Sequence, residues 1–226
     1  MALAQSAPRP RRFGPTKIIA LAVLIVLVVA MALSTKFLTP AELATIAPKP
    51  FDPAATANDL YTQAKAELPG KSADLGKVVP AIQADPKSAA DTFHAVSPNE
   101  NAYVFAVKAT GTVTEATDAT LRLQVPGVPD QTPVLVPLTT AVNGSVLRDA
   151  MGFKFADAPG QTEYQYVGDE LKKLILADLD SSVADPAALK GKKVDVVGVI
   201  SVIGSGSAVP KAKPINIQPL SVKAAG

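Results

Sequence analysis

Arg148 and Asp149 are the residues of this sequence best equipped for chemistry, with Asp157 and Gln161 following shortly after them. Adjacent opposite charges flanked by Leu147, Ala150 and Phe153 belong in a partly buried setting. One reading is an ion-pair and hydrogen-bond clamp that pins a loop to the body of the domain. A second is a ligand or partner contact made by Arg148, Asp149, Asp157 and Gln161. There the guanidinium would offer a planar donor fork and Asp157 would accept from hydroxyls. A third is hydrolysis by a carboxylate pair such as Asp157 with Glu163.

Little else supports catalysis. His94 is the only histidine, and a single histidine near a helix end is packed or solvated far more often than it is reactive. No G-x-S-x-G element presents a nucleophile, so a Ser-His-Asp site has no scaffold. Cysteine is absent, which removes disulfides, a thiol nucleophile, thiolate metal sites and a lipidated cysteine. One histidine without cysteine builds no zinc site. Gly204-Ser205-Gly206 lacks the lysine spacing of a phosphate loop and runs on toward a proline. No catalytic residue, metal ligand or cofactor is therefore expected.

Charge narrows the partners. Residues 1–36 carry five basic residues and no acid, which leaves 17 basic against 20 acidic residues beyond them, a net −3. A mildly acidic body poor in aromatics is no nucleic-acid binder. The run Lys190, Lys192, Lys193 reads as a strand start kept soluble rather than a lipid-phosphate contact. Tyr166 reads as a solvated aromatic, with an exposed contact as the alternative.

The elements that must position these groups follow from patterning. Asp52-Pro53 is an N-cap followed by proline at the first helical position, with Leu60, Tyr61, Ala64 and Leu68 on one face and Pro69-Gly70 as the stop. Leu75, Val78, Val79 and Ile82 predict a second helix that Pro80 should break or kink. Asp85-Pro86 repeats the cap before a short helix ending near Phe93. From Ala102 the period turns alternating: a strand through Tyr103, Phe105 and Val107 with Gly111 as candidate bulge, then one through Leu121, Leu123 and Val125. Val134–Leu138 is a third strand that its flanking prolines should confine to an edge or bulge. Residues 143–155 begin turn-like and are ambiguous after that. Gln161–Leu179 is the clearest helix, its stripe of Tyr164, Val167, Leu171, Leu174 and Ile175 opposing Asp169, Glu170, Lys172 and Lys173. Strands at Lys192–Ile203 and Ile215–Val222 close the chain around a Gly204–Pro210 turn. About five strands with a long helix between the third and fourth, after N-terminal helices, predict an α+β, OB-like small barrel.

Before that domain stands a membrane segment. Ile18–Leu33 holds sixteen consecutive apolar residues, and the stretch extends to Leu38 if Lys36 snorkels. Twenty-one helical residues span about 31 Å, enough for a hydrocarbon core of about 30 Å. The expected organisation is a basic cytoplasmic tail (1–17), a transmembrane helix (18–38), a Pro-rich juxtamembrane spacer (39–50) and an extracytoplasmic domain (51–226). A cleaved signal peptide ending near Ala30-Met31-Ala32 is the alternative, and both export the domain.

The segment Asn143–Ala150, followed by Phe153–Asp157 and Gln161, resembles the signature of the DUF2291 family of predicted periplasmic lipoproteins. That family shows G-T-A-L-R-D-A, then F-x-D-F-x-N-Q, then a helix. Leu189–Val194 through Gly198 resembles its closing strand pair, and the likeness runs over roughly residues 40–223. Ser145, Ala158 and Gly160 stand where the family has Thr, Phe and Asn, and no cysteine follows the apolar segment. The resemblance implies a non-enzymatic accessory or binding protein with ABC transporter components or a small sugar-like ligand as partner, since members are often encoded beside sugar transporter genes. A structural cell-envelope protein and an uncharacterised hydrolase are the competing expectations.

Overall fold

The computed structural model describes residues 15–36, 38–39, 42, 50–203 and 209–225. It divides into a unit up to Pro50 and a unit from Phe51 onward.

In the first unit, helix α1 (Pro15–Ser34) is 20 residues long with no buried residue. At 1.5 Å per residue that is about 30 Å, so length and composition suffice to cross a membrane, properties a signal sequence shares. The helix starts three residues before the expected Ile18 because Pro15 is favoured at a first helical position. It stops at Ser34 rather than Leu38, where the apolar run gives way to Ser-Thr-Lys and the Thr35 hydroxyl donates to the Met31 carbonyl at 2.7 Å. The basic residues before Pro15 and most of the Pro-rich spacer lie outside the described residues.

The second unit begins with α2 (Pro53–Lys71), capped as its sequence requires: Asp52 accepts from the backbone N–H of Ala54 at 2.9 Å and of Ala55 at 3.1 Å. Pro69-Gly70 does not stop it. The helix continues to Lys71, and the Ser72 hydroxyl then donates to the Leu68 carbonyl at 2.7 Å. After the two-residue strand β1 (Ala73–Asp74) comes α3 (Leu75–Ala84), which passes through Pro80 instead of breaking there. Proline lies on the exposed face, while Leu75, Val78, Val79 and Ile82 are fully buried and hold both halves to the core. Burial of about 1.5–3 kcal/mol per such side chain outweighs one lost helical hydrogen bond. Helix α4 (Pro86–Thr92) has the expected cap, Asp85 accepting from Lys87 and Ser88 N–H. His94 follows it, exposed and at φ 53. It occupies the left-handed position that ends helices.

The sheet comprises β1, β2 (Val96–Asn99), β3 (Ala102–Ala116), β4 (Thr120–Gln124), β5 (Val134–Pro137), β6 (Lys193–Ile203), β7 (Ile215–Asn216) and β8 (Gln218–Ala224). Among the described residues, eight strands stand where about five were expected, because short pieces β1 and β2 pair with β3 and because β7 and β8 are one run interrupted at Ile217. The order β7-β5-β4-β3-β6-β8 therefore curls round on itself. One end of that final run pairs parallel with β5, and the other pairs antiparallel with β6. β5 is accordingly an interior strand, not the predicted edge. Pro133 precedes it and offers only its carbonyl, to Ile215 N–H at 2.8 Å, while Pro137 lies beyond the reach of β7. Gly111 pairs in regular register with Val194, so the bulge is elsewhere: the β3–β4 register shifts between Val113 and Glu115.

The ambiguous stretch after Asn143 is helix α5 (Gly144–Ala150), and the long helix is α6 (Gln161–Ser182), after β5 and before β6. α2 docks on α6, with the Tyr61 hydroxyl donating to Asp178 at 2.8 Å beside Lys65. The Gly204–Pro210 turn lies largely outside the described residues.

Candidate functional site

The signature around Arg148 starts at a crossing of two helices. A β-carbon on Gly144 would lie 2.1 Å from the Gly168 carbonyl oxygen and 2.4 Å from the Lys172 nitrogen. Only glycine lets α5 approach α6 that closely. Asn143 caps α5 by accepting from Ser145 N–H at 3.0 Å, and its own N–H donates to the buried Gln218 side chain of β8 at 2.7 Å. Gly152, at φ 74, ends the helix, and its N–H donates to the Asp149 carbonyl at 3.0 Å. That left-handed residue turns the chain so that Phe153 returns toward α6.

Within this frame Arg148 is 6 % exposed and surrounded by internal partners. Its Nε and Nη2 donate to one oxygen of Asp149 at 3.0 and 2.9 Å, and Nη1 donates to the Tyr164 carbonyl at 2.9 Å. The guanidinium carbon lies 3.5 Å from the centre of the Tyr164 ring, a stacked cation–π contact. The Tyr164 hydroxyl closes the loop by donating to Asp149 at 3.2 Å. Burial and the Asp149 charge hold the Tyr164 phenol above its ordinary pKa, against the opposing pull of Arg148. A buried guanidinium bonded through all three of its nitrogens in this way is a clamp between α5 and α6.

Asp149 keeps 21 % of its side chain exposed and is the part of the pair that solvent reaches. Asp157 does not join them. It lies exposed on the 3-10 turn Phe155–Asp157 and accepts from the Lys154 backbone N–H at 2.7 Å. Gln161 is also exposed, as the first residue of α6. Asp157 and Gln161 are thus both exposed, while Arg148 is buried. Among the described residues no group of three or more His, Asp or Glu side chains is arranged to hold a metal ion.

An aromatic cluster over the clamp is the feature that reading the sequence missed. Phe153 stacks on Tyr164 with centroids 6.0 Å apart, Phe155 meets the same ring edge-on at 5.7 Å, and Phe51 tilts against Phe153 at 6.5 Å. Phe155 is nevertheless 57 % exposed. The spacing Phe153-Lys154-Phe155 was the available signal, since residues two apart in an extended segment face the same way.

Comparison with known proteins adds two findings. The profile of the family described as "Predicted periplasmic lipoprotein (DUF2291)" matches residues 23–223. A crystal structure of an OB-fold protein from Thermotoga maritima MSB8 superimposes with a TM-score of 0.65 at 18 % identity, over 78 % of this chain and 100 % of that one. At such identity the likeness concerns the fold alone. No curated protein matches the chain.

Proposed function

The chain belongs to the DUF2291 family of predicted periplasmic lipoproteins, and on that premise we propose that it is an extracytoplasmic accessory module, held at the membrane by α1, that docks a protein partner through the turn Phe155–Asp157. The observation carrying this reading is Phe155 itself. Its ring is exposed but braced from below by Tyr164, which the Arg148–Asp149 clamp immobilises. A rigid aromatic projecting among polar residues loses little entropy when it enters a partner's pocket, the property of interface hot spots. Asp157 and Gln161 supply the polar rim. The partner class we assign is a transport system of the same membrane, the context with which the family is associated. No chemistry of bond making is required of the site.

The test is isolation of the full-length protein from its native membrane, with co-isolating proteins identified by mass spectrometry. Wild type, Phe155→Ala and a bare anchor of residues 1–50 are compared. Transport subunits recovered with wild type and lost from a fully folded Phe155→Ala protein are the expected result. Recovery of nothing beyond the bare anchor, or of the same proteins with both full-length forms, overturns it.

A further inference from the structure

On another part of the domain, the β3–β4 hairpin and the chain linking β4 to β5 enclose a groove of about 440 Å³. That size lies within the range of about 300–1,000 Å³ usual for small-molecule sites. None of its lining residues belongs to α5 or α6. We propose that this groove binds a neutral polyhydroxylated ligand of one or two sugar rings, an assignment independent of the docking turn.

The groove's walls are fixed before any ligand arrives. One wall is the bulge in β3, where Thr114 is the extra residue and its hydroxyl donates to the Arg122 carbonyl at 3.3 Å. Bulges of this kind redirect side chains at the rims of barrels. The facing wall is the Pro126–Pro133 segment, stiffened by three prolines and held from beneath. Gly127, at φ 84, abuts Gly76 of α3 so closely that a β-carbon on Gly76 would lie 2.2 Å from the Pro126 carbonyl oxygen. Thr132, 5 % exposed, donates to the Lys211 carbonyl at 2.6 Å and accepts from the Gln83 side-chain amide at 2.9 Å. A loop locked on its inner side while its outer side chains stay exposed is preorganised, which lowers the entropy cost of binding.

The lining selects the ligand class. Arg122 faces Glu115 across the strand pair, with Nη1 to Oε2 at 3.8 Å, so the one guanidinium in the groove is already balanced by a carboxylate. Asp130 adds a further negative charge, and an anionic ligand is therefore disfavoured. No aromatic ring lines the groove, which removes the platform that nucleobases and flat aromatic ligands need. What remains among the lining residues are planar groups with paired polar atoms, in Arg122, Glu115, Gln124 and Asp130, together with the apolar rings of Pro129 and Pro133. Adjacent hydroxyls on a ring match paired donors and acceptors of this geometry, and the ring's C–H face covers the prolines.

The test uses the full-length protein in lipid nanodiscs and saturation-transfer NMR, with titration for affinity. The probes are glucose, ribose, maltose and trehalose, set against glucose 6-phosphate, gluconate and lysine. At least one neutral sugar is expected to bind, with affinity reduced roughly tenfold or more in Asp130→Ala and in Arg122→Ala, the loss expected for a hydrogen bond to a charged group. Phe155→Ala should bind it like wild type. Absence of binding by all four sugars, tighter binding of the anions or of lysine, or equal binding by the groove variants would overturn the assignment. Because co-isolation in the preceding section reads a different surface, either proposal can fail while the other stands.

Discussion

The α5–α6 junction and the β4–β5 loop are opposite uses of sequence. The junction carries the distinctive motif, yet its glycine, arginine and aspartate are spent on internal contacts, and Arg148 is almost wholly buried. The loop carries no motif that reading could single out, yet it offers exposed polar side chains around an open groove. A distinctive string of residues thus marks where the backbone is hardest to build, because close helix crossing and a buried charge tolerate few alternatives. Surfaces that meet ligands tolerate many.

The largest effect should separate the two regions at once. Gly144→Ala places a β-carbon inside α6 backbone and is expected to cost at least about 3 kcal/mol, the upper end of overpacking, measured by urea unfolding. Arg148→Ala should follow closely, at about 3 kcal/mol, because Asp149 loses its charge partner in a largely buried site. Arg148→Lys should recover only part, since an ammonium cannot reproduce the fork and the stacking. If Arg148→Ala instead left stability untouched, the arginine would move from clamp to contact residue and the contrast would collapse. Gly127→Ala, in the loop, is expected to cost about 2 kcal/mol, from its left-handed backbone and its apposition to Gly76.

Smaller still is the pH response of the α2–α6 contact. Burial opposes ionisation of Asp178, but hydrogen bonds from Lys65 and Tyr61 outweigh it and hold its pKa below the ordinary 3.8. Its contribution is therefore present above pH 4 and fades as pH falls through that lowered value. Burial, then the hydrogen bond and charge of Asp178, raises the Tyr61 phenol above its ordinary 10.0, so its contribution is present below pH 10 and fades at higher pH. Melting temperatures across pH should show both flanks, and Asp178→Asn should remove the acid flank while only reducing the alkaline one, which rests first on burial. The smallest effect belongs to the groove. Arg122→Ala and Asp130→Ala, both exposed, should each change stability by no more than about 0.5 kcal/mol in urea unfolding. A large loss would make the groove's polar lining structural.

Features set by neighbours in sequence were legible. Asp52 and Asp85 announced their helices because a cap hydrogen bond spans two or three residues. The stripe of α6 and the alternation of β3 and β4 announced themselves because one face of each is buried. Prolines were misjudged wherever packing overruled local preference. Pro80 does not break α3, Pro69 lies inside α2, and Pro133 and Pro137 flank the pairings of an interior strand. Of the four candidate contact residues, Arg148 and Asp149 were legible as a partly buried pair, while the separation of Asp157 and Gln161 onto the surface was not.

Taken alone, then, the sequence determined the apolar N-terminal segment, the caps, the types of the longer elements, the family signature and the charge pairing of Arg148 with Asp149. Each depends on composition or on residues close in the chain. Tertiary structure alone decided that Gly144 meets Gly168, that Tyr164 lies under Phe155, that β3 bulges at Thr114 and that Thr132 locks the groove wall from below. Those contacts join residues on different elements of the fold. Their energies depend on which atoms the curled sheet and the crossing helices bring within a few ångströms, and no local pattern records that.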